Sequence, residues 1–189
     1  MIVVNFYGGP GVGKSTAAAK IFYELKTRGV RSELVGEFAK ELVYNRAYTV
    51  LSDQLYLFSE QAHRLRMLDK YGVQVAICDS PLLLSPIYGK EKNLVDMALR
   101  EYSKYDNYNF VLERVESYLK DDARKASFEQ AHQKDMQILA LLRQNNIPYS
   151  MIGNVLDITS EDLDSLAEEA KKSDSIKKPP FNDEPWKAA

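Results

Sequence analysis

The sequence predicts a single α/β domain in which helices cover both faces of a five-stranded parallel sheet. Short apolar runs typical of buried strands alternate with longer stretches of helical periodicity, which favours parallel strands joined by crossover helices. A glycine-rich turn joins the first strand directly to the first helix. At 189 residues, 45% of them hydrophobic, the chain suits one such domain and is too short for two. We expect the domain at residues 1–172 and an extended, proline-containing tail at residues 173–189.

The first part of the chain alternates strand and helix signals twice. Residues 1–7 form an apolar, β-rich run, and residues 14–28 carry apolar side chains at helical spacing. Gly29 follows as the residue that ends this helix. We expect a second strand at residues 30–36 and a short helix at residues 38–45.

A long helix and a buried strand come next. Ser52 is the predicted N-cap of a helix that runs to Tyr71, and Gly72 marks its end. Residues 73–78 form a short, mainly apolar run, as expected for a parallel strand buried on both faces. Residues 81–86 begin and end with proline and are expected to be irregular.

The remaining elements follow the same alternation. We expect a helix at residues 93–105, a fourth strand at residues 108–112, a helix at residues 128–146 and a fifth strand at residues 147–152. A capping box at residues 159–162 begins a final helix that ends near Lys172.

The glycine-rich turn carries the clearest functional signal. It reads Gly-Gly-Pro-Gly-Val-Gly-Lys-Ser and matches the phosphate-binding pattern G-x-x-x-x-G-K-[ST] without a gap. Backbone N–H groups of such a loop surround a polyphosphate, Lys14 reaches the β- and γ-phosphate oxygens, and the Ser15 hydroxyl becomes a Mg²⁺ ligand. We therefore expect ATP and Mg²⁺ as cofactors. The predicted nucleotide-binding residues are Gly8, Gly9, Pro10, Gly11, Val12, Gly13, Lys14, Ser15 and Thr16.

Two carboxylates follow strands of the predicted sheet, at the edge where ligands of such folds gather. Asp79 follows the third strand and is the predicted second Mg²⁺ ligand beside Ser15, although it could instead cap the turn Asp-Ser-Pro. Glu37 follows the second strand and is the predicted general base for an acceptor hydroxyl, although it could instead favour the next helix N-terminus.

A charged segment at residues 120–125 breaks the apolar pattern before the helix at residues 128–146. Arg124 in this segment is the predicted catalytic arginine, because its planar donor fork matches phosphate oxygens. The alternative is a solvated charged loop. Other side chains could contact an acceptor, although solvation or packing is their default role: Tyr44, Tyr48, Gln54, Tyr56, Gln61, His63, Arg64, Arg66 and Tyr88.

Composition narrows the class of partner and the compartment. The net charge of −2 argues against a broad nucleic-acid-binding face, so we expect a small-molecule acceptor and do not favour nucleic acid. No apolar run approaches the roughly 18 residues of a membrane span, and residues 1–7 do not resemble a signal peptide, so we expect neither feature. The single cysteine, Cys78, points to a reducing cytoplasm. The sequence leaves homo-oligomerisation open.

Four segments together resemble a known group of proteins. They are residues 8–16, residues 37–41 (Glu-Phe-Ala-Lys-Glu), residues 78–81 (Cys-Asp-Ser-Pro) and residues 118–124. Over roughly residues 1–155 the chain resembles the small P-loop kinases of the AAA_28 or NadR-like group, many of them phage-encoded. The resemblance implies a nucleoside- or ribosyl-kinase type of fold, a three-layer P-loop NTPase with strand order 2-3-1-4-5 and a short lid. It also implies that Glu37 lies near the acceptor and that Arg124 lies near the phosphates.

The leading hypothesis is ATP- and Mg²⁺-dependent transfer of a phosphoryl group to a nucleoside-like or nucleotide-like small molecule, at a hydroxyl or at a phosphate. Two alternatives remain. One is a kinase that acts on a hydroxylated base or an end in DNA, and the other is a stand-alone ATPase that drives a partner. A GTP-dependent switch is disfavoured because the chain has no N-K-x-D segment.

Overall fold

The computed structural model describes residues 1–114 and 128–173, and its centre is a five-stranded parallel sheet. The strand order is β2-β3-β1-β4-β5, as predicted. The strands are β1 (Ile2–Tyr7), β2 (Ser32–Val35), β3 (Val75–Cys78), β4 (Asp106–Leu112) and β5 (Ser150–Ile152).

Helices cover both faces of the sheet and complete the predicted three-layer arrangement. They are α1 (Lys14–Thr27), α2 (Phe38–Tyr44), α3 (Tyr48–Leu51), α4 (Gln54–Lys70), α5 (Ser85–Tyr88), α6 (Leu94–Tyr102), α7 (Phe128–Gln144) and α8 (Ser160–Ser173). Short 3₁₀ turns occupy Leu82–Leu84 and Val155–Asp157. Among the described residues, no helix combines the length and apolarity needed to cross a bilayer.

Strand β1 lies at the centre of the sheet and is buried along its whole length. Its alternate side chains enter two separate cores, because successive residues of a strand point to opposite faces. Ile2, Val4 and Phe6 pack with apolar residues of α1 and α8, whereas Val3 and Tyr7 pack with those of α4, α6 and α7. The loop that follows Tyr7 therefore starts from a strand that is packed on both faces by helices.

Several predicted boundaries are confirmed at the level of single residues. Gly29 and Gly72 follow α1 and α4 with φ of 73° each, as expected for helix-terminating glycines. The capping box is present, because the Thr159 hydroxyl accepts from the Asp162 N–H at 3.2 Å while the Asp162 carboxylate accepts from the Thr159 N–H at 2.8 Å.

The predicted N-cap of the long helix was wrong by one residue. Asp53, and not Ser52, caps α4, because its carboxylate accepts a hydrogen bond of 2.9 Å from the Tyr56 N–H. The Ser52 hydroxyl instead donates to the Thr49 carbonyl at 2.7 Å, within the end of the short helix α3. Ser52 is thus the C-cap of a helix that the sequence pattern did not indicate.

The fifth strand is shorter than predicted and begins at Ser150. Asn146 has a φ of 52°, and the Ile147 N–H donates to the Leu142 carbonyl at 2.9 Å, so these residues form the turn that ends α7. The predicted tail beyond residue 173 lies outside the described residues.

Candidate nucleotide and acceptor site

The P-loop connects the carboxyl end of β1 to the first turn of α1. Gly11 and Gly13 have φ of 84° and 100°, values that a side chain would strain, so the loop depends on glycine at both positions. Gly13 is the N-cap residue of α1 and, since it has no side chain, makes no capping hydrogen bond to this helix. The N–H groups of its first turn are therefore available to an anion.

The predicted nucleotide-binding residues share this loop but do not all face the same way. Val12 is directed into the core beneath the loop. Gly8 leaves room for it, because a Cβ on Gly8 would lie 2.5 Å from a Val12 methyl carbon. The members that line the cleft above the loop are Pro10, Gly11, Gly13, Lys14, Ser15 and Thr16.

Lys14 folds back over its own loop. Its ammonium group donates to the carbonyl oxygens of Gly8 at 2.8 Å and Gly9 at 3.2 Å. Burial lowers the pKa of Lys14, and the nearby carboxylates of Glu37 and Asp79 partly oppose this shift. The cation is therefore held inside the loop, within a group of carboxylates.

Ser15 and Asp79 are in direct contact, as expected for two ligands of one metal ion. The Ser15 hydroxyl donates to Asp79 Oδ2 at 2.6 Å, and Asp79 is only 6% exposed. Asp79 Oδ1 is buried and has no hydrogen-bond partner within the described part of the chain. Such an oxygen beside a hydroxyl fits Mg²⁺, which prefers oxygen ligands and usually takes only one or two from the protein.

Glu37 lies at the end of β2, directly before α2, and lines the same cleft as Lys14. It occupies the N-cap position of α2, but its side chain makes no capping hydrogen bond there. Its carboxylate is close enough to raise the pKa of both Lys14 and Tyr88. An interaction with the helix dipole does not need such a bond, so the alternative that Glu37 favours the N-terminus of α2 stays open.

The cleft extends from the P-loop to a second compartment that is mostly apolar. The volume of the whole cleft is about 570 Å³. Burial raises the pKa of Tyr88 to about 12, so its phenol stays protonated near neutral pH and can donate a hydrogen bond. The apolar and aromatic residues of this compartment are Phe38, Val43, Tyr44, Leu51, Leu57, Leu84 and Tyr88.

Two glutamines of α4 add polar groups to this compartment. Gln54 and Gln61 lie seven residues apart on the helix and both line the cleft. Gln61 is only 4% exposed, and its amide nitrogen lies 3.4 Å from the Gly36 carbonyl oxygen. Both amides can form hydrogen bonds with a polar acceptor molecule.

The other candidates of the long helix do not line the cleft. Arg64 makes ion pairs with Glu41 and Glu60, each at 3.0 Å, and Arg66 makes one with Glu101 at 2.9 Å. The sequence pattern could not show Glu41 and Glu101 as partners, because they belong to other helices, whereas Glu60 lies one turn from Arg64 on the same helix. His63, Tyr48 and Tyr56 are exposed and are absent from the cleft lining. Arg124 lies outside the described residues, so its role stays a prediction.

Sequence reasoning missed one feature of the site, an ion pair between Arg114 and Asp135. Arg114 Nε donates to Asp135 Oδ2 at 2.7 Å, and Arg114 Nη1 donates to the Pro10 carbonyl oxygen at 3.0 Å. Arg114 stands two residues after β4, so the rule that drew attention to Glu37 and Asp79 could have found it.

A family model described as an AAA domain, AAA_28, matches residues 3–157. Among solved structures, NadR in complex with NR is similar to the chain with a TM-score of 0.59 and 14% identity. The match covers 96% of this chain and 54% of that one, so the chain spans about half the length of the NadR structure.

Shikimate kinase from Bacteroides thetaiotaomicron is similar with a TM-score of 0.42 and 11% identity, over 93% of this chain and 98% of that one. No protein in the curated set matches the chain in sequence. The similarity to NadR and the observed strand order show a kinase-like P-loop NTPase fold.

Proposed function

Because the chain belongs to the AAA_28 family, we propose that it is an ATP- and Mg²⁺-dependent kinase that phosphorylates a nucleoside-like or nucleotide-like small molecule. The observation that carries the proposal is the continuity of the cleft. Residues of the P-loop line one space of about 570 Å³ together with an aromatic wall, formed by Phe38, Tyr44 and Tyr88. Such a space can hold a triphosphate chain and a ring-bearing acceptor at the same time.

Lys14, Ser15 and Asp79 form the donor side of the site. The Lys14 ammonium group has three donors, so it can stay hydrogen-bonded to the Gly8 carbonyl oxygen while it donates to phosphate oxygens and offsets charge on the β- and γ-phosphates. Ser15 and Asp79 would hold Mg²⁺, which supplies charge neutralisation at the phosphate oxygens. These residues supply positioning and electrostatic stabilisation, which are the main needs of phosphoryl transfer.

Glu37 forms the acceptor side and would take the proton of the attacking hydroxyl. A carboxylate within hydrogen-bond reach can do so as the oxygen approaches the γ-phosphorus. Glu37 lines the cleft together with Lys14 and Tyr88, and its charge affects the pKa of both. It can therefore meet an acceptor whose ring lies against the aromatic wall.

The charges in the cleft favour a hydroxyl over a phosphate as the acceptor group. Among the described residues, the cations that line the cleft are Lys14 and Lys40, and Lys14 is needed by the nucleotide. Lys40 is exposed and its ammonium group lies 6.0 Å from the centre of the Tyr44 ring. One exposed lysine, in a cleft that also contains the carboxylate of Glu37, is a poor partner for a phosphate dianion.

The proposal is tested by incubating the protein with ATP and Mg²⁺ and a panel of acceptors. The panel contains nucleosides, nucleoside monophosphates, nicotinamide riboside and DNA with hydroxylated bases or free ends. We expect a phosphorylated product from at least one nucleoside-like compound, detected by mass. Nicotinamide riboside is included because the similar NadR structure was solved with NR.

Glu37→Gln tests the general base. We expect ATP affinity to stay unchanged while kcat falls by about 10²- to 10⁴-fold, because the amide cannot accept the proton. Glu41→Gln is the matched control, since Glu41 lies one turn further along α2 and contacts Arg64. Full transfer by Glu37→Gln would rule out the assigned base.

The two alternative functions give different results in the same assay. Product on DNA alone would support a kinase for a base or an end in DNA. ATP loss that no acceptor accelerates would indicate a stand-alone ATPase and would contradict the kinase proposal. Lys14→Ala should abolish turnover in every case and therefore serves only as the blank.

A further inference from the structure

The ion pair of Arg114 and Asp135 is buried against the P-loop. Their side chains are only 9% and 12% exposed. Two hydrogen bonds join them, Nε to Oδ2 at 2.7 Å and Nη2 to Oδ1 at 3.3 Å. Arg114 follows β4 and Asp135 lies on α7, so the pair connects the end of the sheet to this helix.

Both members also bind the backbone of the loop at Gly9 and Pro10. Asp135 Oδ1 accepts from the Gly9 N–H at 2.5 Å, and Arg114 Nη1 donates to the Pro10 carbonyl oxygen at 3.0 Å. Helix α7 approaches so closely that a Cβ on Gly9 would lie 2.6 Å from the Ala131 carbonyl oxygen. The P-loop pattern does not require glycine at this position, but the contact with α7 does.

The peptide unit between Gly8 and Gly9 links Asp135 to Lys14. Its N–H donates to Asp135 Oδ1, and its carbonyl oxygen accepts from Lys14 Nζ at 2.8 Å. In a trans peptide the N–H and the C=O point in opposite directions, so the two side chains hold this unit from opposite sides. A change at Asp135 would therefore alter the orientation of the carbonyl group that Lys14 contacts.

We propose that Asp135 is a positioning residue for nucleotide binding, which acts through the Gly8–Gly9 peptide on Lys14. Arg114 holds the Asp135 carboxylate in place and fixes the neighbouring Pro10 carbonyl group. Helix α7 thereby sets the shape of the loop that receives the triphosphate. The inference rests on the proposed function only in that the P-loop binds ATP.

Two double variants separate positioning from simple stability. R114M/D135L and R114M/D135N both remove the ion pair, so neither leaves an unpaired buried charge. Leucine and asparagine have the same branching at Cγ, although leucine is bulkier, and only asparagine can accept a hydrogen bond from the Gly9 N–H. We expect R114M/D135L to bind ATP about five- to tenfold more weakly than R114M/D135N, the effect of one hydrogen bond.

ATP affinity is measured by calorimetric titration with ATP and Mg²⁺, and the melting temperature of each variant is measured without nucleotide. R114M/D135A provides the same test with a smaller side chain if the leucine variant does not fold. The control is R28M/D164L, which removes an ion pair of 2.7 Å between Arg28, directly after α1, and Asp164 of α8. This variant should bind ATP like the wild type. Equal ATP affinity of the asparagine variant and a folded leucine or alanine variant would overturn the inference. Failure of the wild type to bind ATP would instead overturn the proposed function.

Discussion

Replacing Gly9 by alanine tests the contact between α7 and the P-loop. The added Cβ would lie 2.6 Å from the Ala131 carbonyl oxygen and 2.9 Å from Asp135 Oδ1. An ordinary van der Waals contact of a Cβ atom lies at 3.4–4 Å, well beyond both distances, so either the loop or the helix must move. Because the first of these atoms belongs to the backbone of α7, a rotation of one side chain cannot relieve the overlap.

The size of the effect follows from the usual cost of overpacking. We expect Gly9→Ala to lower the free energy of unfolding by about 2 kcal/mol, which corresponds to a fall in Tm of about 4–8 °C in a chain of this length. We also expect weaker ATP binding, because the shifted peptide carries the carbonyl group that contacts Lys14. Differential scanning fluorimetry and an ATP titration measure the two effects.

Gly36→Ala is the matched control for this substitution. Gly36 also lies next to the cleft, at the end of β2, but a Cβ built there would meet nothing within 4 Å. We expect this variant to be unchanged or stabilised by up to about 1 kcal/mol through the unfolded state. If Gly9→Ala had the Tm and the ATP affinity of Gly36→Ala, the reasoning about α7 would be refuted.

Three further predictions concern the metal site, the cleft wall and the surface. Asp79→Asn should lose the rise in Tm that Mg²⁺ adds to ATP, as measured by fluorimetry, and a full rise would rule out Asp79 as a ligand. Phe38→Leu should raise KM for the acceptor several-fold with little change in KM for ATP, since stacked rings contribute about 1 kcal/mol; equal changes in both KM values would contradict an acceptor role. Burial raises the pKa of Glu101, but hydrogen bonds from Lys104 and Arg66 outweigh this effect, so the pKa is lower than the ordinary value of 4.5. The stabilisation that Glu101 provides is therefore complete above pH 4.5 and is lost as the pH falls through the lowered pKa. Urea unfolding should therefore show that Glu101→Gln costs about 1 kcal/mol at pH 7 and little at pH values near 3; an equal cost at both pH values would contradict this.

The sequence predicted the parts of the site that depend on a continuous motif or on the ends of neighbouring strands. The P-loop between a strand and a helix sets the positions of Lys14 and Ser15 through backbone geometry alone. The parallel sheet then brings Asp79 beside Ser15, because β1 and β3 are hydrogen-bonded neighbours whose carboxyl ends meet at one edge. That neighbourhood followed from the fold class, so the pair could be predicted without coordinates.

Local patterns failed where a side chain had a choice of partners. Ser52 and Asp53 are both good N-cap residues, and only the path of the chain through α3 decided that Asp53 caps α4. Arg64 was a candidate for acceptor contact, but the packing of α2 against α4 places it beside Glu41 instead. Each choice depends on the relative position of two elements, which a residue pattern does not encode.

The sequence by itself determined the P-loop fold and predicted where a nucleotide triphosphate and its metal ion would bind, because both follow from short motifs and from strand ends. Only the tertiary structure decided what surrounds the loop. The contact of Asp135 with Gly9 joins residues 126 positions apart, and the apolar compartment of the cleft is built mainly from α2, α4 and α5. Contacts of this kind arise when helices pack onto the sheet, so their residues carry no common spacing that could be seen in the chain.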